Sequence, residues 1–184
     1  LDLGVRNVLC VSSEPDITRT KKRFEHLCKK AERGTLRVVL EFIAFTEVSS
    51  LRQSLEVVQD FAHPAGGILV DALHLQRNGA SPLDLRTVDP VLMPYFQLCD
   101  AGSQALDSSP EGLLDDALYL RQLPGDGQLP LREILAQLDP QLPLSLEIRS
   151  RALLEKYPAD PLARASHVFE ATQRFLQIAA VTRP

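Results

Sequence analysis

The chain has 184 residues, of which 45% are hydrophobic and 24% are charged. This balance is typical of one soluble globular domain with a substantial core, and it excludes disordered and fibrous proteins. The formal net charge of -4 provides no basic surface for a polyanion, so we expect no nucleic-acid partner. No apolar stretch approaches the roughly 20 residues that a membrane helix needs, and the first residues do not resemble a signal peptide, so we expect a cytoplasmic protein with no membrane partner.

Five short apolar runs are bounded by turn-forming residues, which is typical of buried parallel strands. Amphipathic segments with apolar residues at helical spacing lie between them. The alternation of strand and helix predicts the βα repeat of a parallel sheet. The predicted strands cover residues 5–11, 36–42, 67–71, 95–100 and 142–148, and the clearest helices cover residues 16–33, 50–61 and 163–180.

The segments rich in proline or acidic residues lie between predicted strands and do not mark domain boundaries. We expect a short helix around residues 82–88, a long acidic loop or short helix over residues 101–120, and a turn at residues 124–127. The three cysteines are widely spaced with no CxxC pair, and two of them lie in apolar runs, so they indicate a reducing compartment and packing roles. Residues 1–184 are therefore interpreted as a single domain.

Five parallel strands cannot close a barrel of eight, and an open fragment would leave an edge unpaired. The predicted fold class is an α/β protein of the (β/α)₈ TIM-barrel type, with this chain covering about strands 4–8 and the N-terminal βα units missing. A doubly wound open sheet uses the same repeat and is the alternative. The positions of polar residues favour the barrel.

Four of the five apolar runs end in a residue that could bind a metal ion: Glu41, Asp71, Gln97 with Asp100 shortly after it, and Glu147. Each belongs to a different βα unit, at the same place in the repeat. Strand ends of a barrel converge on one site at its carboxyl-terminal mouth. Any one of these carboxylates could instead cap a helix, but several together would repel one another unless a cation neutralised them. Oxygen ligands favour Mg²⁺ or Mn²⁺.

In these motifs the sequence resembles the sugar phosphate isomerase/epimerase superfamily, also called the xylose isomerase-like or AP endonuclease family 2 barrels. The resemblance covers nearly the whole chain as the C-terminal part of such a barrel. The motifs that carry it are Leu40-Glu41-Phe42 on the fifth barrel strand, Val70-Asp71-Ala72-Leu73-His74 on the sixth, Gln97-Leu98-Cys99-Asp100 on the seventh, Arg121-Gln122-Leu123-Pro124-Gly125-Asp126-Gly127 after it, and Leu146-Glu147 on the eighth.

The resemblance implies that Glu41, Asp71 and Glu147 bind one divalent ion, with Mn²⁺ or Mg²⁺ expected and Co²⁺ or Zn²⁺ as alternatives. Gln97 departs from the family, whose members usually have His at that place. Its carbonyl oxygen can still bind Mg²⁺ or Mn²⁺, but it lacks the imidazole that favours softer metals. Gln97 is therefore the least typical of the four expected ligands.

The resemblance also implies that His74 and Arg121 hydrogen-bond substrate oxygens, with Asp100 in a supporting position behind the ligands. His74 is expected where the sixth strand gives way to a loop, and the turn at residues 124–127 is expected to position Arg121. Moving a proton next to a sugar carbonyl needs a Lewis acid and a base on each face of the carbon. Glu41 and Glu147 are the candidate catalytic bases.

The first functional hypothesis is a metal-dependent isomerase or epimerase that acts on a sugar, sugar phosphate or polyol through an enediolate. A metal-dependent lyase of the inosose dehydratase type is the alternative, because the same enediolate can expel a hydroxyl group. A non-catalytic binding relative is a third hypothesis, favoured by Gln97 and by the missing strands. An endonuclease IV-like role would need more histidines and a basic surface. Assembly into a homo-oligomer is left open.

Overall fold

A computed structural model describes residues 4–181, with side chains described as far as residue 178. Within these residues, strands and α-helices alternate along most of the chain. The strands are β1 (Asn7–Cys10), β2 (Arg37–Glu41), β3 (Gly66–Asp71), β4 (Phe96–Leu98) and β5 (Leu144–Leu146). The α-helices are α1 (Ile17–Glu32), α2 (Leu51–Phe61), α3 (Ala72–Arg77), α4 (Pro110–Tyr119), α5 (Leu131–Leu135), α6 (Arg151–Lys156) and α7 (Pro161–Val181), and 3₁₀ turns cover Pro82–Thr87 and Pro90–Leu92.

The five strands form one parallel sheet in the order β1-β2-β3-β4-β5, so each strand pairs with the next one along the chain. A doubly wound sheet reverses its strand order at a switch point, and this sheet does not. The strands and helices form part of a (β/α)₈ barrel, which confirms the predicted fold class. The parallel arrangement brings the carboxyl ends of all five strands to one edge of the sheet.

Alternation along the strands separates two faces of the sheet. One set of alternate residues packs with the helices in the main hydrophobic core, and the other set, which includes the buried Val39 and Leu69, shares its face with Glu41 and Asp71. The polar strand ends therefore lie on the face opposite the helices, as in the interior of a barrel. The strand residues in the main core include Val38, Leu40, Ile68, Val70, Phe96 and Leu98.

The two long helices at the start of the chain form where the sequence predicts them. Asp16 caps α1 by accepting from the backbone N–H groups of Thr18 and Arg19, and Ser50 caps α2 by accepting from Gln53. Residues at helical spacing on α1, among them Phe24 and Cys28, are buried against the sheet. None of the helices in the described part of the chain has the length and apolar content to cross a membrane.

Several short elements differ from the sequence prediction. Helix α3 starts immediately after β3, where a loop was expected, and α5 and α6 were not predicted. Each has only five or six residues, too few for an apolar repeat of 3.6 to be recognised. The acidic segment 101–120 is a loop followed by α4, so both of its proposed interpretations apply in part.

The loss of stability on a small substitution should depend on whether the residue lies in the core between the sheet and the helices. Ile68 is completely buried, so Ile68→Val should lower the free energy of unfolding by about 0.5–1.5 kcal/mol in urea denaturation. Leu106, which is 91% exposed, is the control: Leu106→Ala should change it by less than about 0.5 kcal/mol. Equal losses in the two variants would contradict the assignment of Ile68 to the core.

Candidate metal centre

Three carboxylates converge at the carboxyl edge of the sheet. Glu41 is the last residue of β2, Asp71 is the last residue of β3, and Glu147 directly follows β5. One oxygen atom from each lies within 4.8 Å of the others, which is close enough for the three to share one metal ion. Glu41 and Asp71 are buried, whereas the Glu147 side chain is 30% exposed. The structure therefore brings together three of the four predicted metal ligands in one oxygen-rich cluster.

Gln97 adds a fourth oxygen to the same region. It lies on β4 directly beside Asp71 in the strand register. Its amide Nε2 donates to Glu147 Oε2 at 3.0 Å, and its Oε1 is buried with no hydrogen-bond partner. A buried carbonyl oxygen without a partner is costly, and a cation beside it would remove that cost. The orphaned Oε1 and the three carboxylates form a set of hard donors that fits a divalent ion.

The Asp71 carboxylate also accepts three hydrogen bonds from the protein. Its Oδ1 accepts from the backbone N–H groups of Leu73 and His74 at 2.9 and 3.1 Å, so Asp71 is the N-cap of α3. Its Oδ2 accepts from Arg121 Nη1 at 2.7 Å. Helix capping and metal binding are the two roles that the sequence allows for such a carboxylate. At Asp71 the capping contacts are present, and they orient the same carboxylate that faces Glu41 and Glu147.

Arg121 is buried between the carboxylates. Its Nη2 lies 3.2 Å from Glu147 Oε2, and its Nε donates to the carbonyl oxygen of Ala117 at 3.0 Å. Burial opposes its charge, but the carboxylates of Asp71 and Glu147 outweigh burial and raise the pKa of Arg121, so the guanidinium stays charged. Arg121 thus fixes the relative positions of two candidate ligands. Its expected contact with substrate remains a prediction.

Glu41 has the most perturbed carboxyl group of the cluster. Burial, and then the nearby charges of Asp71 and Glu147, raise its pKa to about 8, and Arg121 offsets only part of this effect. Near neutral pH the metal-free site therefore holds a proton on Glu41. A carboxyl group whose pKa is shifted by burial and by neighbouring charges is a candidate for general acid and base chemistry.

His74 lies on α3 and not on a loop, because α3 begins directly after Asp71. His74 is 3% exposed, and its imidazole packs edge-on against Phe45 with ring centroids 5.8 Å apart. Burial lowers the pKa of His74 to about 4, so the ring is neutral at pH 7. Its Nδ1 is buried without a hydrogen-bond partner. Whether His74 contacts substrate, as expected, remains a prediction.

Asp100 holds the segment that carries Arg121. Its carboxylate accepts from the backbone N–H groups of Ala101, Gly125 and Leu129 at 2.9–3.0 Å, and its backbone pairs with Gln122 in both directions. A Cβ atom at residue 127 would collide with Asp100, so the close packing of the turn requires glycine there. The supporting position expected for Asp100 behind the metal ligands remains a prediction.

Cys99 is a neighbour of the site that its sequence context does not reveal. It was interpreted as a core residue, and it is buried, but its Sγ accepts from Arg121 Nη1 at 3.0 Å. The available signal was its position two residues after Gln97, which places both side chains on the same face of the extended backbone. Burial raises the pKa of the Cys99 thiol, so the group stays protonated beside the guanidinium.

Comparison with known proteins identifies the family. The family model described as "Xylose isomerase-like TIM barrel" matches residues 3–173. The chain therefore belongs to the xylose isomerase-like TIM barrel family, which confirms the resemblance inferred from the motifs. No curated protein matches the sequence significantly.

Solved structures agree on the fold. A xylose isomerase-like TIM barrel/4-hydroxyphenylpyruvate dioxygenase fusion protein has a TM-score of 0.73 at 24% identity, with 100% of this chain and 31% of that chain covered. An IolI protein with a bound zinc atom has a TM-score of 0.71 at 20% identity, with 96% and 63% covered. The probable 3-DHS dehydratase AsbF from Bacillus anthracis has a TM-score of 0.68 at 16% identity, with 94% and 63% covered. This chain thus spans less than two thirds of each of these structures.

The perturbed Glu41 predicts a pH-dependent stability in the metal-free protein. The unfolded chain loses the Glu41 proton near pH 4.5, whereas the folded chain keeps it until about pH 8. The stabilisation is therefore complete below pH 4.5 and is lost as the pH rises to about 8. In urea unfolding with a chelator, the stability of the unmodified chain relative to Glu41→Gln should fall between pH 5 and pH 8. Parallel pH profiles would show that Glu41 is not perturbed.

Proposed function

We propose that this chain carries the metal-binding and proton-transfer residues of an isomerase or epimerase that acts on a sugar or polyol. The observation that carries the proposal is the convergence of Glu41, Asp71 and Glu147, with the unpartnered Oε1 of Gln97 beside them. The family contributes the expectation of an enzyme, since the matched structures also include an L-ribulose 3-epimerase and a 3-keto-D-glucoside 4-epimerase from E. coli. The two structures share 15–17% sequence identity with this chain, so they support the substrate class only as a proposal.

The four oxygen donors would hold a single divalent ion. When bound, such an ion supplies Lewis-acid polarisation of the substrate carbonyl. Carboxylate and amide oxygens match Mg²⁺ or Mn²⁺, whereas an imidazole would be the better partner for zinc, the metal found in the IolI structure. We propose Mn²⁺ or Mg²⁺ for this chain because Gln97 supplies an amide oxygen.

Glu41 and Glu147 are the proposed proton-transfer groups on two sides of one substrate. They lie at the ends of β2 and β5, which are not neighbours in the sheet, and Glu147 is the more exposed of the two. One carboxylate would remove the proton on the carbon next to the carbonyl, and the electron pair would move to the carbonyl oxygen. The other group would return a proton to the opposite face and so invert the centre. Arg121 and Gln97 hold Glu147 in place through its Oε2.

Elimination of water is the second candidate. An enediolate formed next to the carbonyl can expel a hydroxyl group when a neighbouring acid donates a proton to it. The match to a probable dehydratase supports this candidate. Solvent deuterium incorporated into a sugar without loss of water would favour the epimerase, and loss of water would favour the lyase.

Metal binding is the first test of the proposal. Mn²⁺ at 100 times its dissociation constant should stabilise the chain by about 2.7 kcal/mol. For a domain of this size each kcal/mol raises the melting temperature by about 2–4 °C. Glu147→Gln should lose most of the rise in melting temperature with Mn²⁺ and all exchange of substrate protons with solvent. Glu155→Gln, at an exposed position of α6, is the control and should behave like the unmodified chain. No rise with Mn²⁺ or Mg²⁺ would overturn the proposal.

The amide of Gln97 predicts a metal preference that one substitution should change. Gln97→His should raise the affinity for Zn²⁺ relative to Mn²⁺ by about tenfold or more, because imidazole is the softer ligand. Gln104→His, in an exposed loop, is the matched control and should leave the ratio unchanged. Isothermal titration with each metal measures the ratio. An unchanged ratio in Gln97→His would show that residue 97 does not bind the ion.

A further inference from the structure

A second buried ion pair lies beside the candidate metal centre, and none of the proposed chemistry uses it. Arg77, the last residue of α3, donates through Nε to Asp116 Oδ2 at 2.6 Å. Both side chains are almost completely buried, at 4% and 5% exposed. Asp116 belongs to α4, so the pair joins the helix after β3 to the helix after β4.

The two buried ion pairs hold opposite ends of the same short helix. Asp71 caps the start of α3 and pairs with Arg121, which follows α4, while Arg77 at the end of α3 pairs with Asp116 on α4. Helix α3 contributes a residue of opposite charge to each pair, the acidic Asp71 at its start and the basic Arg77 at its end. The two pairs therefore connect α3 to α4 at one end and α3 to Arg121, the second residue after α4, at the other.

The link from Asp116 to the site is short. Its chain neighbour Ala117 provides the carbonyl oxygen that accepts from Arg121 Nε at 3.0 Å. The same guanidinium then pairs with Asp71 at 2.7 Å and with Glu147 at 3.2 Å. A shift of α4 would therefore move the acceptor that orients Arg121, and with it the charge presented to both carboxylates.

Arg77 also contacts the loop that leaves β4. Its Nη2 donates to the carbonyl oxygen of Gly102 at 2.9 Å. Gly102 follows Ala101, whose backbone N–H is held by Asp100. Arg77 thus fixes α4 and the β4 loop against α3 at the same time. Its Nη1 is buried without a hydrogen-bond partner, a cost that two well-placed contacts must outweigh.

We propose that Arg77 and Asp116 are positioning residues that set the orientation of Arg121, and through it the spacing of Asp71 and Glu147. The inference rests on the proposed metal site and names two residues, outside that site, on which its geometry depends. Stability alone is a weak reason for such a pair, because a buried ion pair can often be replaced by apolar side chains without loss of stability. Removing both charges therefore separates positioning from stability.

The test variant is Arg77→Met/Asp116→Leu in the full chain, with Mn²⁺ alone as the probe. We expect its melting temperature without metal to stay within about 5 °C of the unmodified chain, since no unpaired charge remains buried. We expect its Mn²⁺ dissociation constant to rise by about tenfold or more, and the electron paramagnetic resonance spectrum of bound Mn²⁺ to change. A spectrum and affinity equal to those of the unmodified chain would overturn the inference.

A control removes an ion pair elsewhere. Lys21 on α1 lies 3.0 Å from both Asp60 and Glu56 on α2, and none of these residues belongs to the carboxylate cluster or to the contacts between α3 and α4, so Lys21→Met/Asp60→Leu should leave Mn²⁺ affinity and spectrum unchanged. If the Arg77/Asp116 double variant does not fold, Asp116→Asn keeps the side-chain shape and removes the charge. It is expected to weaken Mn²⁺ binding in the same direction, and unchanged binding would overturn the inference.

The outcomes also separate this inference from the proposed function. An unmodified chain that binds neither Mn²⁺ nor Mg²⁺ would overturn the proposed function and this inference with it. An unmodified chain that binds Mn²⁺ tightly, together with a double variant that binds it equally well, would overturn the positioning role alone.

Discussion

Three carboxylates with oxygen atoms within 4.8 Å of one another repel, and two of the three side chains are buried, where repulsion is weakly screened. Arg121 supplies one positive charge, which is shared between Asp71 and Glu147. The pKa of Glu41, raised to about 8, reflects burial and the repulsion that remains. The arrangement is suited to a divalent cation, whose two charges would balance what the guanidinium does not.

The fold positions the residues of this cluster through the sheet, a helix cap and backbone pairing. The parallel sheet brings the strand ends to one edge, and the N-cap contacts of Asp71 fix that carboxylate to α3. The chain from Leu120 to Gln122 runs between the residues that follow β4 and β5, bridged to Asp100 on one side and Ser150 on the other. That position brings the Arg121 side chain over the cluster. Backbone pairing and side-chain contacts therefore both position Arg121 at the site.

The strands and the candidate ligands could be predicted from the sequence because both follow simple repeats. Apolar runs marked the strands, and the candidate ligands occupy the same place in successive βα units: Glu41, Asp71, Gln97 and Glu147. The roles of Arg77, Asp116 and Cys99 could not be predicted, since they depend on tertiary contacts between distant residues. The loop expected at His74 was wrong because α3 is too short to show a period, although Asp71 before it had the residue type of a helix cap.

We propose that Glu41, Asp71, Gln97 and Glu147 jointly bind one divalent ion. The most direct measurement is anomalous X-ray diffraction from crystals of the full chain grown with Mn²⁺. We expect a single strong anomalous peak, roughly 2.0–2.4 Å from oxygen atoms of these four residues. A peak at another place on the chain would contradict this four-residue site. So would the absence of any peak among the carboxylates at saturating Mn²⁺, with Arg121 as their only positively charged partner.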